Sequence, residues 1–319
     1  MRFVARLVLP RVGLALVTLL AVSFIIFWTV ELLPGDAATR ILGRESNPQR
    51  AAALRAELHL DDPPLERYRL WLTGFVQGDW GESLAARRPV TDFVLPRLQN
   101  SLFLAGVALA LYVPLSLFLG ILTAVFRERR WASALSALVL VGTAIPEFVV
   151  AIFLLLAFAV ALPWFPPLAF IDRSDSFLEL LHAVALPAIT LTVAMTAYAV
   201  RMMQASLVSV LESDYVRLAT LKGLSSRRVI LRHALPNALG PALRVTVLNI
   251  AWLIGGVVFV EVVFNYPGIG QLLVEGIRLL DTPVIEAIAM ILAAVYIFAN
   301  LGADLVAGAL NPRLRSATG

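Results

Sequence analysis

The chain lacks cysteine entirely, and it contains one lysine and three histidines among its 319 residues. Without cysteine, neither a disulfide framework nor a thiolate metal site is possible. The single lysine, Lys222, precedes Gly223, whereas a phosphate-binding P-loop requires serine or threonine after its lysine. The histidines lie far apart in sequence, at positions 59, 182 and 233, so we expect neither a metal nor a cofactor in this chain. Any work done with ATP would therefore need another chain.

Charge is also scarce, since only 15% of the residues are charged while 60% are apolar, with a mean hydropathy of +0.84. This composition is typical of a polytopic membrane protein and not of a soluble domain. Several apolar runs are long enough to cross a bilayer as helices, which predicts an all-α fold with a single domain over residues 1–319. The six predicted spans are residues 12–30, 101–126, 131–162, 183–203, 239–260 and 284–309.

The distribution of arginine predicts the orientation of these spans. Basic clusters occur at residues 2–11, 127–130, 213–236 and 313–315. Because short cytoplasmic loops carry an excess of basic residues, both termini and residues 204–237 are predicted inside, with residues 33–100 outside the membrane. A cleaved signal peptide is the alternative interpretation of the N-terminus, although its apolar region would normally be shorter.

The third predicted span contains a break. Residues 131–171 hold a single charge, Glu147, and are too long for one perpendicular span but too short for two. The two basic clusters that flank this stretch on either side, at 127–130 and 213–236, must share a side of the membrane. Two spans must therefore separate them, which makes 131–162 one element broken at Pro146.

The long polar segment over residues 33–100 shows helix signals. Asn47-Pro48 precedes an Ala/Leu/Arg-rich stretch that ends near Leu58, and Asp62-Pro63 precedes a second helix, with Pro63 suited to its first position. Residues 78–83 have the composition of a turn. The segment is interpreted either as a small helical cap on the outer face or as part of a docking surface for another protein.

The most informative stretch runs from Ser213 to Pro236, a basic island between two apolar runs. It is predicted to form two short helices around Gly223, which can adopt the left-handed conformation that ends a helix. Ser213 or Asp214 would cap the first helix and Ser225 the second, while Pro236 would mark the second helix's end. DNA binding is disfavoured because membrane spans tether both ends, so we expect no nucleic-acid partner. A docking surface for a cytoplasmic protein fits better.

This stretch resembles the cytoplasmic loop E-A-A-x3-G-x9-I-x-L-P of the membrane subunits of bacterial ABC importers. Aligned on the glycine, residues 217–219 replace E-A-A as Arg-Leu-Ala, His233 replaces Ile, and Leu235-Pro236 keeps L-P. Further stretches resemble the B-type permease subunit of the oligopeptide/dipeptide (peptide/nickel) branch: L-D-D-P at 60–63, Y-R-L-W-L at 68–72, G-D-W-G-E-S-L at 78–84, R-P-V at 88–90 and P-G-I-G at 267–270.

The resemblance implies a type I ABC importer permease that works by alternating access and forms half of a translocation path. The implied partners are a second, similar permease chain, giving a heterodimer, two ATPase subunits that bind ATP and Mg, a periplasmic substrate-binding protein and membrane lipid. The implied substrates are di- or oligopeptides, with nickel, glutathione, opines and sugars as alternatives. The ATPase-coupling residues would be Asp214, Tyr215, Arg217, Ala219, Lys222, Gly223, Leu224, His233, Leu235 and Pro236.

Charges inside spans are costly and usually face a bundle interior or a water path. Glu147, Asn300 and Asp304 are candidates for the translocation path, with Asn300 and Asp304 on one helix face. A structural pairing role is favoured for Glu261 and Glu286, which lie near outer ends.

Two other function classes are considered. A secondary transporter or channel would act without an ATPase, but such proteins typically show paired broken helices and inverted repeats, and only one clear break is visible here. A membrane enzyme is less favoured, because neither H-E-x-x-H nor G-x-S-x-G occurs in the sequence.

Overall fold

The computed structural model describes residues 2–32, 48–57, 61–142, 144–171 and 176–309. Within these ranges the regular structure is helical, and the only β-type pairing is an isolated bridge between Glu82 and Pro89. The α-helices are α1 (Arg2–Glu31), α2 (Pro48–Glu57), α3 (Pro64–Gln77), α4 (Thr91–Val125), α5 (Arg130–Gly142), α6 (Glu147–Leu155), α7 (Phe177–Ala183), α8 (Ala185–Leu211), α9 (Asp214–Leu221), α10 (Ser226–Arg228), α11 (Leu235–Val263), α12 (Ile269–Leu279) and α13 (Thr282–Ala309). Two π-helical turns cover Leu156–Ala161 and Val229–Ala234.

Four described helices are long and apolar enough to cross a bilayer, namely α1, α4, α8 and α13. The pair α5 and α6, bent by 106°, raises the number to five if it is one span. The predicted total of six is therefore not confirmed, although α11 covers the fifth predicted span as a continuous helix of 29 residues.

The predicted break in the third span is confirmed. Pro146 occupies the N-cap of α6 with an extended backbone, ψ 145°, and Glu147 is the first helical residue. Proline lacks the amide hydrogen that would continue the preceding helix, and its ring forces the previous residue out of the helical region. The second piece then runs through α6 and a π-helical turn to Ala161.

The core of the bundle is built by α4, α8 and α11. Leu104 and Tyr112 of α4 are fully buried against Leu191 of α8 and Leu253 of α11. Gly120 lets α4 approach α8 closely, because a Cβ atom at this position would lie 2.6 Å from Cβ of Met203. A polar contact joins α4 to α11, where Asn249 Nδ2 donates to the Tyr112 hydroxyl at 2.7 Å.

Several predicted boundaries are wrong. Pro236 does not end a helix, because a π-helical turn over Val229–Ala234 leads directly into α11, where Pro236 lies in the first turn. Proline fits there since the first amides of a helix have no intrahelical acceptor. Pro63 is the N-cap residue of α3, so Pro64 and not Pro63 is its first residue. The helix that contains the second predicted span begins at Thr91, ten residues before Ser101. Helix α12 was missed.

Candidate functional site

The island at 213–236 lies at the end of the bundle where α4 and α8 terminate, called the inner end here because arginine distribution predicts it in the cytoplasm. Arg127, in the turn after α4, donates from Nη1 to Glu212 Oε1 at 2.8 Å at the end of α8. The two basic segments therefore lie at the same end, as the argument from span parity requires.

The turn at Gly223 has the predicted left-handed backbone, with φ +80°. The Gly223 amide donates to the Thr220 carbonyl at 3.0 Å and the Leu224 amide to the Ala219 carbonyl at 3.4 Å. This pair of hydrogen bonds is the Schellman motif, which satisfies the last carbonyls of α9. Lys222 is the C-cap residue of α9 and its side chain is exposed.

The predicted capping serines occupy their positions without making capping bonds. Ser213 and Ser225 are the N-cap residues of α9 and α10, but neither side chain accepts a backbone amide of its helix. Ser213 Oγ instead donates to the Val210 carbonyl of the preceding helix.

The underside of the island is apolar. Val216, Val229 and Ala234 are nearly fully buried and form one cluster with Met203 and Leu207 of α8. Three predicted coupling residues, Ala219, Leu224 and Leu235, pack against this cluster while partly exposed. Packing on the bundle therefore holds the two short helices in place.

The opposite side of α9 is exposed and combines apolar with charged groups. Tyr215, Leu218 and Leu221 are 46%, 56% and 78% exposed and follow one another at three-residue intervals along one helix face. Asp214 and Arg217 are exposed as well. Large apolar side chains bordered by charges are typical of surfaces that contact another protein.

A small hydrogen-bond network, called the Asn237 network here, joins α9 to the start of α11. Asn237 Nδ2 donates to the Tyr215 hydroxyl at 3.0 Å and to the His233 carbonyl at 2.9 Å. The Tyr215 hydroxyl also donates to the His233 carbonyl at 3.4 Å. His233 therefore contributes its backbone oxygen, at the π-helical turn. No feature of the sequence singles out Asn237, because its partner is 22 residues away.

The outer end of the bundle is fastened by buried carboxylates. Glu261 is fully buried and accepts hydrogen bonds from Ser101 Oγ and from the amides of Gly270, at 2.7 Å, and Gln271, at 3.2 Å. It thereby caps the N-terminus of α12, where a negative charge is favourable. A Cβ atom at Gly268 would lie 2.0 Å from Glu261 Oε1, so only glycine fits there.

The loop between α11 and α12 is also tied to α4 through Asn100 and Tyr266. Asn100 Nδ2 donates to the Pro267 carbonyl at 2.8 Å, and the buried Tyr266 hydroxyl donates to the Asn100 carbonyl at 2.6 Å. Burial raises the pKa of the Tyr266 phenol above its ordinary value, and the nearby Glu261 carboxylate raises it further. The phenol therefore stays protonated and keeps its donor role.

A second buried carboxylate, Asp281, lies between α12 and α13 and is 3% exposed. It accepts from Ser83 Oγ, from the Leu84 amide at 3.0 Å and from the Ala85 amide at 3.3 Å. Sequence analysis missed this residue, since its partners are almost 200 positions away and no local pattern connects them.

The path candidates are not brought together by contacts in the described part of the chain. Glu147 is half-buried and makes no hydrogen bond or ion pair to any described residue. Asn300 Nδ2 donates to the Tyr296 carbonyl of its own helix at 3.0 Å. The side chain of Asp304 lies outside the described residues. Glu286 lies within electrostatic reach of the ion pair between Glu31 and Arg67.

Among the described residues, no group of three or more acidic or histidine side chains is arranged to hold a metal ion.

Comparison with known proteins identifies this architecture. Residues 116–316 match the model of the binding-protein-dependent transport system inner membrane component, and residues 1–105 match the N-terminal part of such membrane components. The glutathione transport system permease protein GsiC of Escherichia coli (strain K12) is 37% identical over 93% of this chain and 95% of its own length. A putative peptide transport system permease protein of Brucella abortus (strain 2308) is 33% identical over 97% and 98%.

Among solved structures, the fold is similar to that in the inward-facing conformations of the MetNI methionine ABC transporter. The match has a TM-score of 0.53, covers 69% of this chain and 96% of that chain, and has 14% sequence identity. At this identity the likeness concerns the fold alone.

Proposed function

The chain belongs to the binding-protein-dependent transport system inner membrane components, which makes it a permease subunit of an ABC importer, and we propose that it carries small peptides or glutathione inward. The single observation behind the substrate class is the similarity over more than nine-tenths of the chain to permeases named for glutathione and for peptides. Glutathione is itself a tripeptide, so both names describe one chemical class.

The substrate class is tested through the binding protein that works with this permease. We expect that protein, purified without added ligand and denatured, to release a small peptide or glutathione that mass spectrometry identifies. Release of nickel, an opine or a sugar instead would overturn the peptide proposal while leaving the permease role intact.

We propose further that the island at 213–236 is the surface that contacts the ATPase. Its underside is packed on α8 while the outward face of α9 leaves much of Tyr215, Leu218 and Leu221 exposed. A rigid, exposed helix at the inner end is what a groove in another protein can hold. Closure of the ATPase pair would then move the island and, through it, α8 and α11, giving alternating access. A second permease chain would complete the path.

The coupling proposal is tested at Gly223. A β-branched side chain is strained at φ +80°, so Gly223→Val should cost about 1 kcal/mol or more locally and misplace α9 relative to α10. We expect the variant to insert in the membrane but to lose transport and ATPase co-purification.

The matched control is Gly240→Val, because Gly240 lies in α11 near the same end with a helical backbone and open space around it. The control should retain both properties. Normal substrate-stimulated ATP hydrolysis by Gly223→Val in the reconstituted transporter would contradict the assignment.

We propose that Glu147 lines the translocation path. It is the first residue of α6, where the helix N-terminus stabilises a carboxylate even without a cationic partner. Its position at the 106° bend between α5 and α6 gives the carboxylate a break in the helix from which substrate can be reached.

A further inference from the structure

We propose that the hairpin over residues 81–90 is a docking surface whose Arg87 and Arg88 contact an acidic surface of the soluble binding protein. The inference rests on the proposed function, since only an importer of this family has such a partner. It names the part of the outer end that recognises the partner and the chemistry of that recognition.

The hairpin is short and closely hydrogen-bonded. The Val90 amide donates to the Gly81 carbonyl at 3.0 Å and the Ser83 amide to the Arg88 carbonyl at 2.9 Å. The Arg87 amide donates to the Ser83 carbonyl at 3.0 Å, which closes the turn. The backbone around both arginines is therefore fixed before any partner arrives.

The hairpin is also fastened to the bundle beneath it. Asp281 binds the Ser83 hydroxyl and the amides of Leu84 and Ala85, and Ser83 Oγ accepts the Ala86 amide at 2.9 Å. Val90, at the end of the hairpin, is fully buried in an apolar cluster contributed by α4, α12 and α13. Such a support removes most of the ordering cost that a flexible loop would bear on binding.

Arg87 has a left-handed backbone, with φ +54°. Glycine would adopt this conformation without strain, so an arginine here is kept at a conformational cost. Strained residues persist where the surrounding structure over-determines them, and they cluster at functional sites. Because the backbone alone would favour glycine, we infer that the side chain of Arg87 has a role of its own.

Both arginine side chains are exposed, and neither makes an ion pair with any residue that the structure describes. In contrast, Arg67, Arg69 and Arg97 at the same end each pair with a glutamate. The nearest acids in sequence lie at the base of the hairpin: Glu82 is opposite Pro89, and Asp92 is in the first turn of α4. Arginine is enriched in protein interfaces, and its planar guanidinium group matches the geometry of a carboxylate.

The position of the hairpin favours a protein over lipid as the partner. The second predicted span begins at Ser101, and α4 continues outward for ten more residues to Thr91, about 15 Å. The headgroup layer on each side of a bilayer is about 5–8 Å thick. The hairpin that precedes Thr91 therefore stands in water beyond the headgroups, where a soluble protein can reach it.

The test uses the complete transporter in nanodiscs with its own binding protein. We expect the double change Arg87→Glu and Arg88→Glu to raise the Kd for the binding protein at least about tenfold and to weaken its salt dependence. The charge-preserving change of both residues to lysine should leave the Kd within about threefold, as electrostatic contact requires. Basal ATP hydrolysis should be the same in all variants, because the inner surface is untouched. Arg69→Gln, which alters a paired arginine on α3, is the control.

A wild-type Kd for the glutamate variant would overturn the inference. So would a rise in Kd that appears in nanodiscs of anionic lipid and is absent in nanodiscs of neutral lipid, since that dependence identifies a lipid contact. If wild-type protein itself neither binds nor responds to any such binding protein, the proposed function fails and the inference falls with it. The first outcome and the last are distinguished by the wild-type measurement.

Discussion

The two ends of the bundle are held together by different kinds of interaction. At the outer end, Glu261 and Asp281 are buried carboxylates that each accept three hydrogen bonds from other elements of the fold. At the inner end, the island is held by the apolar cluster around Val216 and by the Asn237 network, while the outward face of α9 is exposed. The outer end is therefore held mainly by buried hydrogen bonds, and the inner end mainly by apolar packing.

The difference has a physical basis. Buried carboxylates with every oxygen engaged resist movement, because breaking one bond leaves a charge or an amide unsatisfied in an apolar setting. Apolar packing is non-directional and tolerates small shifts of a helix. A part that must move with a partner is therefore better held by packing than by a network of charged hydrogen bonds.

The largest expected loss of stability comes from removing the buried carboxylate of Glu261. Glu261→Ala leaves the amides of Gly270 and Gln271 and the Ser101 hydroxyl without their acceptor, which should cost about 2–4 kcal/mol of stability. We expect a clearly lowered melting temperature in detergent. The control is Glu275→Gln, a half-exposed residue of α12 whose contact with Arg97 is 3.8 Å long and which should change stability little. An equal small effect in both variants would show that the outer end is not held by this carboxylate.

A smaller effect is expected at the inner end from Tyr215→Phe. The change removes the hydroxyl that joins α9 to Asn237 and the His233 carbonyl, at a cost of about 0.5–1.5 kcal/mol. If the Asn237 network transmits movement from α9 to α11, the transporter with this variant should hydrolyse more ATP per substrate molecule transported. Ser206→Ala is the matched control, because Ser206 also bonds a backbone carbonyl of α11, at 2.9 Å, without involving α9. If both variants lose coupling to the same extent, the Asn237 network has no special role in it.

The smallest effect on stability is expected at Glu147, the carboxylate without a described partner. Glu147→Gln should change stability by less than about 0.5 kcal/mol, since no pairing is lost. Transport of cationic substrates should fall more than transport of neutral ones, with the ATPase still coupled. A series of substrates that differ in charge provides the measurement. Uniform loss across that series, together with a lowered melting temperature, would assign Glu147 to structure instead of the path.

The features that sequence alone predicted are local ones. An apolar, cysteine-free composition was sufficient for the all-α membrane class, and the break at Pro146 follows from the backbone chemistry of proline. The left-handed turn at Gly223 was predicted from the conformational freedom of glycine, and the helices near 48–57 and 64–77 from local helix-start signals. Each depends on residues within one or two helical turns, whose preferences the sequence states directly.

Only the tertiary structure decided how distant residues meet. The acceptor roles of Glu261 and Asp281 depend on amides from other elements, almost 200 residues away for Asp281. Pro236 was misjudged because a π-helical turn, stabilised by packing on α8, carries the chain into α11. In the same way, the exposure of Tyr215, and the lack of an ion-pair partner for Arg87 and Arg88 among the described residues, depend on what the rest of the bundle covers. Burial and pairing are properties of the assembled fold, and no local pattern encodes them.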